Sequence, residues 1–421
     1  MIPEKFKFIK QGEIRVRIAP APTGFLHIGT ARTALFNYLF AKKNKGVFVL
    51  RIEDTDKERS KKEYEKDAID SLKWLGIEWD EGPISGSKKY IGNYGPYRQS
   101  ERKEIYSEYL KKLIKENKAY YCFCSQEDLE VQRQYQLSIG HAPKYSGKCS
   151  NLAFKDVKKY LAEGKPSVIR FRTPGKKVQF DDAIRGSLEF DASLIGDIVI
   201  AKDLNNPLYN FTCVVDDFKM EISNVIRGED HISNTPKQIL IQEALLFPRV
   251  KYAHLPLILG SDRTKLSKRH GASSITEYRK LGYLPETLIN FMAFLGWNPG
   301  GEREIYSLPS LLKEFSLEKI QKGGAVFNIK RLDFLNGFYI RQKSTEKLTE
   351  LCLPYLIETG LVRPIFEQRQ YPPAYGAKEI VQKYQISETG RNLSFETLQK
   401  IISIYQERLK KLSEISESAK F

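Results

Sequence analysis

The sequence predicts an α/β fold: a parallel sheet split by an α+β insertion and followed by an all-helical C-terminal part. Three observations carry this. Ile14 to Ile18 and Val47 to Ile52 are short apolar runs with a helical pattern between them, which is the layout of a βαβ unit. Residues 168–211 read as short strands with turns. Beyond Ser274 the apolar spacing is almost wholly helical.

Taken in order, residues 1–12 are a short basic lead-in. The first strand runs into RIAPAPTGFLHIGT, Arg17 to Thr30, through Pro20, Pro22 and Gly24. A helix over 31–43 follows His27-Ile28-Gly29-Thr30. Strand, tight turn and helix start are where a parallel sheet takes a phosphate, because unpaired N–H groups and the helix dipole favour an anion. The three spaced glycines of the dinucleotide fingerprint are missing. Taken alone His27 is an ordinary structural or solvated histidine; here its imidazole is also set to donate to a phosphate oxygen. The second strand ends in RIEDTD, 51–56, which puts carboxylates at the crevice beyond the strand's C-terminal end. Glu53 there is either a loop acid or a ligand group.

Helices are expected over 61–75 and 101–117, with Gly- and Pro-rich connections up to Pro96. YYCFCS and YSGKCS follow. Cys122 and Cys124 are two apart, so on a strand they share a face, and Cys149 completes a trio. The trio is either three buried thiols or part of a zinc site, which wants four ligands. The strands of the insertion are 168–174, 177–182, 188–190 and 197–202, within bounds of 95–209. The parallel sheet then resumes with Phe211 to Asp217 and Ser223 to Gly228 as strands, a helix over 235–244, and Leu255 to Leu259. DRTKLSKRHGA, Asp262 to Ala272, is a basic loop flanked by Gly260 and Gly271. Helices follow over 275–281, 285–295, 308–315, 329–338 and 346–360, each short enough to need the others to cover its apolar face. Pro364 to Ala377, with Pro372-Pro373, reads as a linker or irregular loop, and 395–414 as a last amphipathic helix.

At 421 residues the chain has room for two to four domains. Its formal net charge of +16, spread along the length, suits a polyanion such as nucleic acid. No apolar run is long enough to span a bilayer, no basic amphipathic helix stands out, and the first residues have no signal core. Five unevenly spaced Cys make no disulfide framework and fit a reducing cytoplasm.

His27-Ile28-Gly29-Thr30 and Lys265-Leu266-Ser267-Lys268-Arg269, in this order, resemble the HIGH and KMSKS signature pair of class I aminoacyl-tRNA synthetases. RIAPAPTG, RIEDTD, GPYRQSER (95–102) and VIRGEDHISNTP (225–236) resemble glutamyl-tRNA synthetases of the bacterial type, and the resemblance runs from about Arg15 to the C-terminus. It implies a split Rossmann-type catalytic domain in 1–94 and 210–258. It further implies an acceptor-binding insertion over 95–209, a KMSKS loop and helical stem-contact domain over 259–340, and a partial helical anticodon-binding domain over 341–421. Relatives continue with another helical subdomain where this chain stops, so the reading is of a shortened chain.

The implied reaction activates L-glutamate with ATP to glutamyl-adenylate and passes it to the 3′ end of tRNA(Glu). By resemblance His27, Lys265 and Lys268 carry the chemistry. His27, Gly29, Thr30 and Lys268 bind ATP, which arrives with Mg2+. Arg17 selects the glutamate side chain, with Glu53, Tyr209 and Arg227 as further contacts; Ala21 replaces a common Ser of that pocket. Cys122, Cys124 and Cys149 with Tyr145 match a zinc set found in some relatives. Asn151 stands where those have a His, and His141 is a loose substitute. The resemblance leaves tRNA(Gln) open as a second acceptor, and the chain is read as a cytoplasmic monomer. A glutaminyl-tRNA synthetase would carry a β-barrel anticodon module. The paralogue that glutamylates a tRNA base would lack the helical C-terminal part. A catalytically dead RNA-binding relative would have lost HIGT or KLSKR. A sugar-phosphate or dinucleotide enzyme would not explain KLSKR.

Overall fold

The computed structural model describes residues 13–370 and 378–419, with the backbone alone for Lys268, 367–370 and 378–382. Strand β1 (Arg15–Ile18) and strand β2 (Val47–Leu50) are parallel, Arg15 opposite Val47 and Ile18 opposite Leu50, and helix α1 (Ile28–Lys43) joins them. All of β1 is buried, so its two faces need different partners. Val16 and Ile18 give an apolar face. Arg15 and Arg17 share the other and require acids: Glu81 holds Arg15 and Asp217 holds Arg17.

After β2 come α2 (Lys62–Trp74), the small antiparallel pair β3 (Gly82–Pro83) and β4 (Tyr90–Ile91), and α3 (Lys103–Lys115). Next are β5 (Ala119–Cys122), α4 (Gln126–Ser138), α5 (Phe154–Ala162), β6 (Val168–Phe171), β7 (Lys177–Asp182), β8 (Gly186–Asp191) and β9 (Ile198–Ala201). Then α6 (Tyr209–Lys219), β10 (Asn224–Gly228), α7 (Thr235–Ala244) and β11 (Lys251–Leu255). Helices α4 and α5 add to the elements expected from sequence; α4 opens on a capping box between Ser125 and Asp128.

The sheets tie these together. β10 and β11 are parallel from Asn224 opposite Lys251 to Gly228 opposite Leu255. The chain entering β10 meets β1, since the Ser223 N–H donates to the Arg15 carbonyl at 2.9 Å. β5, β6 and β9 form a separate antiparallel sheet. The β7–β8 hairpin does not stay with them. β7 lies parallel to β11, Tyr252 opposite Asp182, so the hairpin extends the β10–β11 sheet.

Phe211 to Asp217 corrects the expected strand: it lies inside helix α6. A continuous apolar run of this length cannot be assigned by periodicity when every side is covered, and Phe211 through Asp217 are all buried. Asp216 and Asp217 are buried because arginines meet them, not because the segment is a strand.

By packing, the chain divides into two compact units. One comprises Met1–Ile258, Gly296–Glu304 and Pro309–Ala325; the other comprises Leu259–Leu295, Ile305–Leu308 and Val326–Phe421. Later helices are α8 (Ile275–Lys280), α9 (Pro285–Ala293), α10 (Leu308–Glu314), α11 (Ile329–Arg341), α12 (Thr345–Glu358) and α13 (Phe395–Tyr405).

The expectation of an all-helical C-terminal part is corrected. Val362–Gln370 and Lys378–Ile386 form an antiparallel hairpin, Val362 opposite Ile386. Pro364 argued for a loop, yet proline is tolerated where a sheet edge asks for no N–H. Val362, Tyr384 and Ile386 anchor the hairpin on a core with Leu356, Leu398 and Ile402. Pro372-Pro373 lies outside the described residues. The last expected helix also ends early, at Tyr405. There Gln406 turns in and its amide donates to the Ile340 and Lys343 carbonyls at 3.2 and 2.9 Å. Among the described residues no helix is long and apolar enough to cross a membrane.

Candidate active site

His27 is the N-cap of α1. With its backbone extended (φ −72°, ψ 145°), its Nδ1 accepts the Gly29 N–H at 3.0 Å. That bond fixes the tautomer: the ring proton of the neutral form sits on Nε2, the nitrogen then able to donate to a phosphate oxygen. Gly29 makes room for it, since a Cβ there would come within 3.2 Å of His27 Nδ1. His27 and Thr30 line a cavity closed by Pro20, Ala21, Tyr64 and Glu65.

Behind β1 lies a buried charge cluster. Arg17 Nε and Nη2 donate to the two oxygens of Asp217 at 3.1 and 3.3 Å. Arg51, with a fully buried side chain, gives Nη1 to the same Asp217 Oδ1 at 2.7 Å and Nη2 to Glu53 Oε1 at 3.1 Å. One residue earlier on α6, Asp216 takes Arg102 Nε at 2.7 Å, Gln99 Nε2 at 2.8 Å and Tyr106 Oη at 2.7 Å. Three arginines face three acids there. Burial opposes the charges of Arg17, Arg51, Glu53 and Asp217. For Arg17 the carboxylate of Asp217 outweighs burial and raises the pKa; for Asp217 the two arginines outweigh burial and lower it. Glu53 is the exception: burial wins over Arg51 and Arg17, and its carboxyl is pushed up.

Tyr209 begins α6, with its Oη 3.2 Å from His231 Nδ1. Burial, seconded by Arg227, lowers the His231 pKa to about 4, so the ring is neutral and can accept the phenol. Burial also raises the pKa of Tyr209, with Cys213 adding to the rise. Of the four glutamate contacts expected from sequence, Arg17 and Glu53 are joined through Asp217 and Arg51, and Tyr209 and Arg227 through His231 and Thr235. Arg227 is buried on β10, its Nη1 donating to Gln238 Oε1 and its Nη2 to Thr235 Oγ1, both at 2.8 Å.

The KLSKR loop is folded around Asp262. This exposed carboxylate accepts from the Thr264 N–H at 2.9 Å, Thr264 Oγ1 at 2.8 Å, Arg269 Nη2 at 3.2 Å and His270 Nε2 at 3.1 Å. Those donors, led by Thr264, hold the Asp262 pKa far below the carboxylate range. Leu266 is buried while Lys265 is exposed. The Lys268 side chain lies outside the described residues.

The sulfurs of Cys122, Cys124 and Cys149 lie within 4.8 Å of one another. Cys124 and Cys149 are 3.6 Å apart, far beyond a disulfide's ~2.05 Å and close to the ~3.7 Å edge of a tetrahedron with zinc–sulfur bonds of ~2.3 Å. Tyr145 Oη is 3.3 Å from Cys122 Sγ and 3.5 Å from Cys124 Sγ. Burial and the neighbouring thiols push the Cys124 thiol up to about 11 against the pull of Tyr145. His141 is exposed and outside this group.

Sequence reasoning passed over Arg51, Cys213 and Asp217 in the charge cluster, and His231 and His254 beside Arg227. RIEDTD and GEDHIS contained two of them, but nothing local in the sequence singles out a partner roughly 200 residues away.

Residues 13–334 match the family model described as tRNA synthetases class I (E and Q), catalytic domain. The glutamate–tRNA ligase of Carboxydothermus hydrogenoformans is 53% identical over 350 residues, 83% of this chain and 72% of that protein. That of Sulfurihydrogenibium sp. is 44% identical, covering 96% of this chain and 87% of its own length. A crystal structure of a glutamate tRNA ligase from Elizabethkingia meningosepticum, in complex with its amino acid, superposes with a TM-score of 0.81 at 34% identity. It covers 97% of this chain and 80% of that one.

Proposed function

The chain belongs to the glutamate–tRNA ligases, class I synthetases of the E and Q type, and on that premise we propose how its residues divide the work. The enzyme uses ATP to activate glutamate and charges tRNA(Glu). The α-carboxylate of glutamate attacks the α-phosphate, forming the mixed anhydride as pyrophosphate leaves. The terminal adenosine hydroxyl then attacks the anhydride, forming the ester and releasing AMP. No enzyme nucleophile is needed; the protein positions anions and stabilises charge.

In our reading His27 Nε2 and the start of α1, with Gly29 and Thr30, meet the triphosphate, and Lys265 and Lys268 clamp the departing pyrophosphate. Mg2+ accompanies the triphosphate, held by phosphate and water. Arg17, Arg227 and Tyr209 take the carboxylates of glutamate. Glu53 takes its ammonium, which would favour the anionic form that burial disfavours. The observation that carries this reading is the bonding of these side chains: Arg17 to Glu53 through Asp217 and Arg51, and Tyr209 to Arg227 through His231 and Thr235.

Cys122, Cys124, Cys149 and Tyr145 are proposed to hold a structural zinc, which would tie β5 to the segment before α5. The catalytic role is placed in 1–94 and 210–258 as a split Rossmann domain, and acceptor binding in 95–209. Stem contact is placed in 259–340 and part of the anticodon-binding region in 341–421. The +16 charge supports tRNA contact along the length, and with tRNA as substrate the place of action is the cytoplasm.

Glutamate-dependent ATP–pyrophosphate exchange with Arg17→Ala tests the pocket. Asp217 keeps Arg51 in that variant, so no buried acid is left alone. The expected result is a glutamate KM raised by about two orders of magnitude and an ATP KM nearly unchanged. Equal effects on both substrates would remove Arg17 from the pocket.

A further inference from the structure

Arg17 and Arg227 are both buried, but they are held in opposite ways. Arg17 spends its Nε and one terminal nitrogen on the carboxylate of Asp217. Arg227 gives its hydrogen bonds among the described residues to neutral acceptors: Nε to His254 Nε2 at 3.2 Å, Nη1 to Gln238 and Nη2 to Thr235. A guanidinium has five N–H groups. With these three engaged, each terminal nitrogen of Arg227 keeps one for an incoming carboxylate.

An imidazole that accepts at Nε2 is neutral and carries its proton on Nδ1. That proton has a defined acceptor. His254 Nδ1 lies 2.6 Å from Asp182 Oδ2, and both side chains are fully buried. Asp182 is fixed in turn by the N–H groups of Ile184 at 3.0 Å, Arg185 at 2.9 Å and His254 at 3.1 Å. Burial lowers the His254 pKa against the pull of Asp182, and Arg227 lowers it further, which keeps the ring neutral. The line therefore reads carboxylate, neutral imidazole, guanidinium.

We propose that Asp182 and His254 are positioning residues for glutamate: they orient Arg227 and supply its counter-charge at one remove, leaving its fork open to the substrate carboxylate. A carboxylate in direct contact would occupy one edge of the guanidinium, as Asp217 occupies the Nε and Nη2 edge of Arg17. An apolar neighbour would leave the guanidinium without orientation at Nε and without a counter-charge. This rests on Arg227 being a glutamate contact.

The test is aminoacylation of the full chain with saturating ATP and tRNA. Asp182→Asn keeps the shape and an acceptor but removes the charge. We expect its glutamate KM to rise about ten-fold, with kcat and the ATP KM unchanged. Arg227→Lys, measured alongside, should raise the glutamate KM at least as much, and adding Asp182→Asn to it should have no further effect. A normal glutamate KM in Asp182→Asn beside a raised one in Arg227→Lys overturns the proposal. A normal KM in Arg227→Lys overturns the reading of Arg227 and this inference with it. Should Asp182→Asn fail to fold, His254→Leu and His254→Gln decide. Gln keeps an acceptor for Arg227, so its glutamate KM should lie well below that of Leu; equal values overturn the proposal.

Discussion

Arg51 and Arg17 converge on one carboxylate: Asp217 Oδ1 accepts Arg51 at 2.7 Å and Arg17 at 3.1 Å, all three side chains at most 5% exposed. Two like charges share the acid between them there, and Arg51 has Glu53 beside it as well. Asp217→Asn should therefore destabilise the fold by about 3–5 kcal/mol, because it leaves paired cations buried without their shared counter-charge. Equilibrium denaturation measures it. A loss below about 1 kcal/mol would show that Glu53 and Asp216 suffice.

Loss of Lys268 should separate chemistry from tRNA binding. Lys268→Ala is expected to abolish glutamyl-adenylate formation and leave the tRNA dissociation constant nearly unchanged, since one lost cation is a small part of a +16 surface. Adenylate formation by rapid quench and tRNA binding by filter retention give the two readings. Undiminished adenylate formation would remove the clamp role.

Metal analysis of protein purified without chelator should find about one zinc per chain, and Cys124→Ser should remove it and lower the melting temperature. Protein with no metal and an unchanged melt after chelation would mean that the trio is simply a set of buried thiols.

His231 should leave a mark on stability against pH. Its ordinary pKa is 6.5 and its folded one about 4. Between those values the unfolded chain takes up a proton that the folded chain refuses, so stability falls as pH drops through this window, and below it this group adds nothing more. His231→Gln should flatten the stability profile in that window. Parallel profiles for the two proteins would show that His231 is not held neutral by the fold.

The elements closest to the chemistry were the most legible in the sequence. A strand, two prolines and a helix start put His27 at the N-cap, and the fold keeps it there with a bond to Gly29. β7 falls on its expected residues because its alternation is strict, and α7 starts where Pro236 marks a helix's first turn. Phe211 to Asp217 was illegible as a helix because burial on every side erases periodicity. The Val362–Ile386 hairpin was hidden by Pro364. The supporting shell of the pocket was illegible for a different reason. Asp182 reaches His254 across 72 positions of chain and Arg17 reaches Asp217 across 200, and no local pattern encodes such a meeting.

The pairing of β7 with β11, Asp182 opposite Tyr252, has a consequence for modularity. On the proposed division, residues 95–209 are a cassette inserted between two halves of a sheet, of the kind a chimera would exchange between homologues. This one is grafted. Its hairpin has become an edge of the host sheet, and its last β7 residue reaches His254 in the host. A chimera cut at the outer borders would carry that acid away with the donor segment. A cut that leaves β7 and β8 with the recipient would transplant the remainder and spare the pocket.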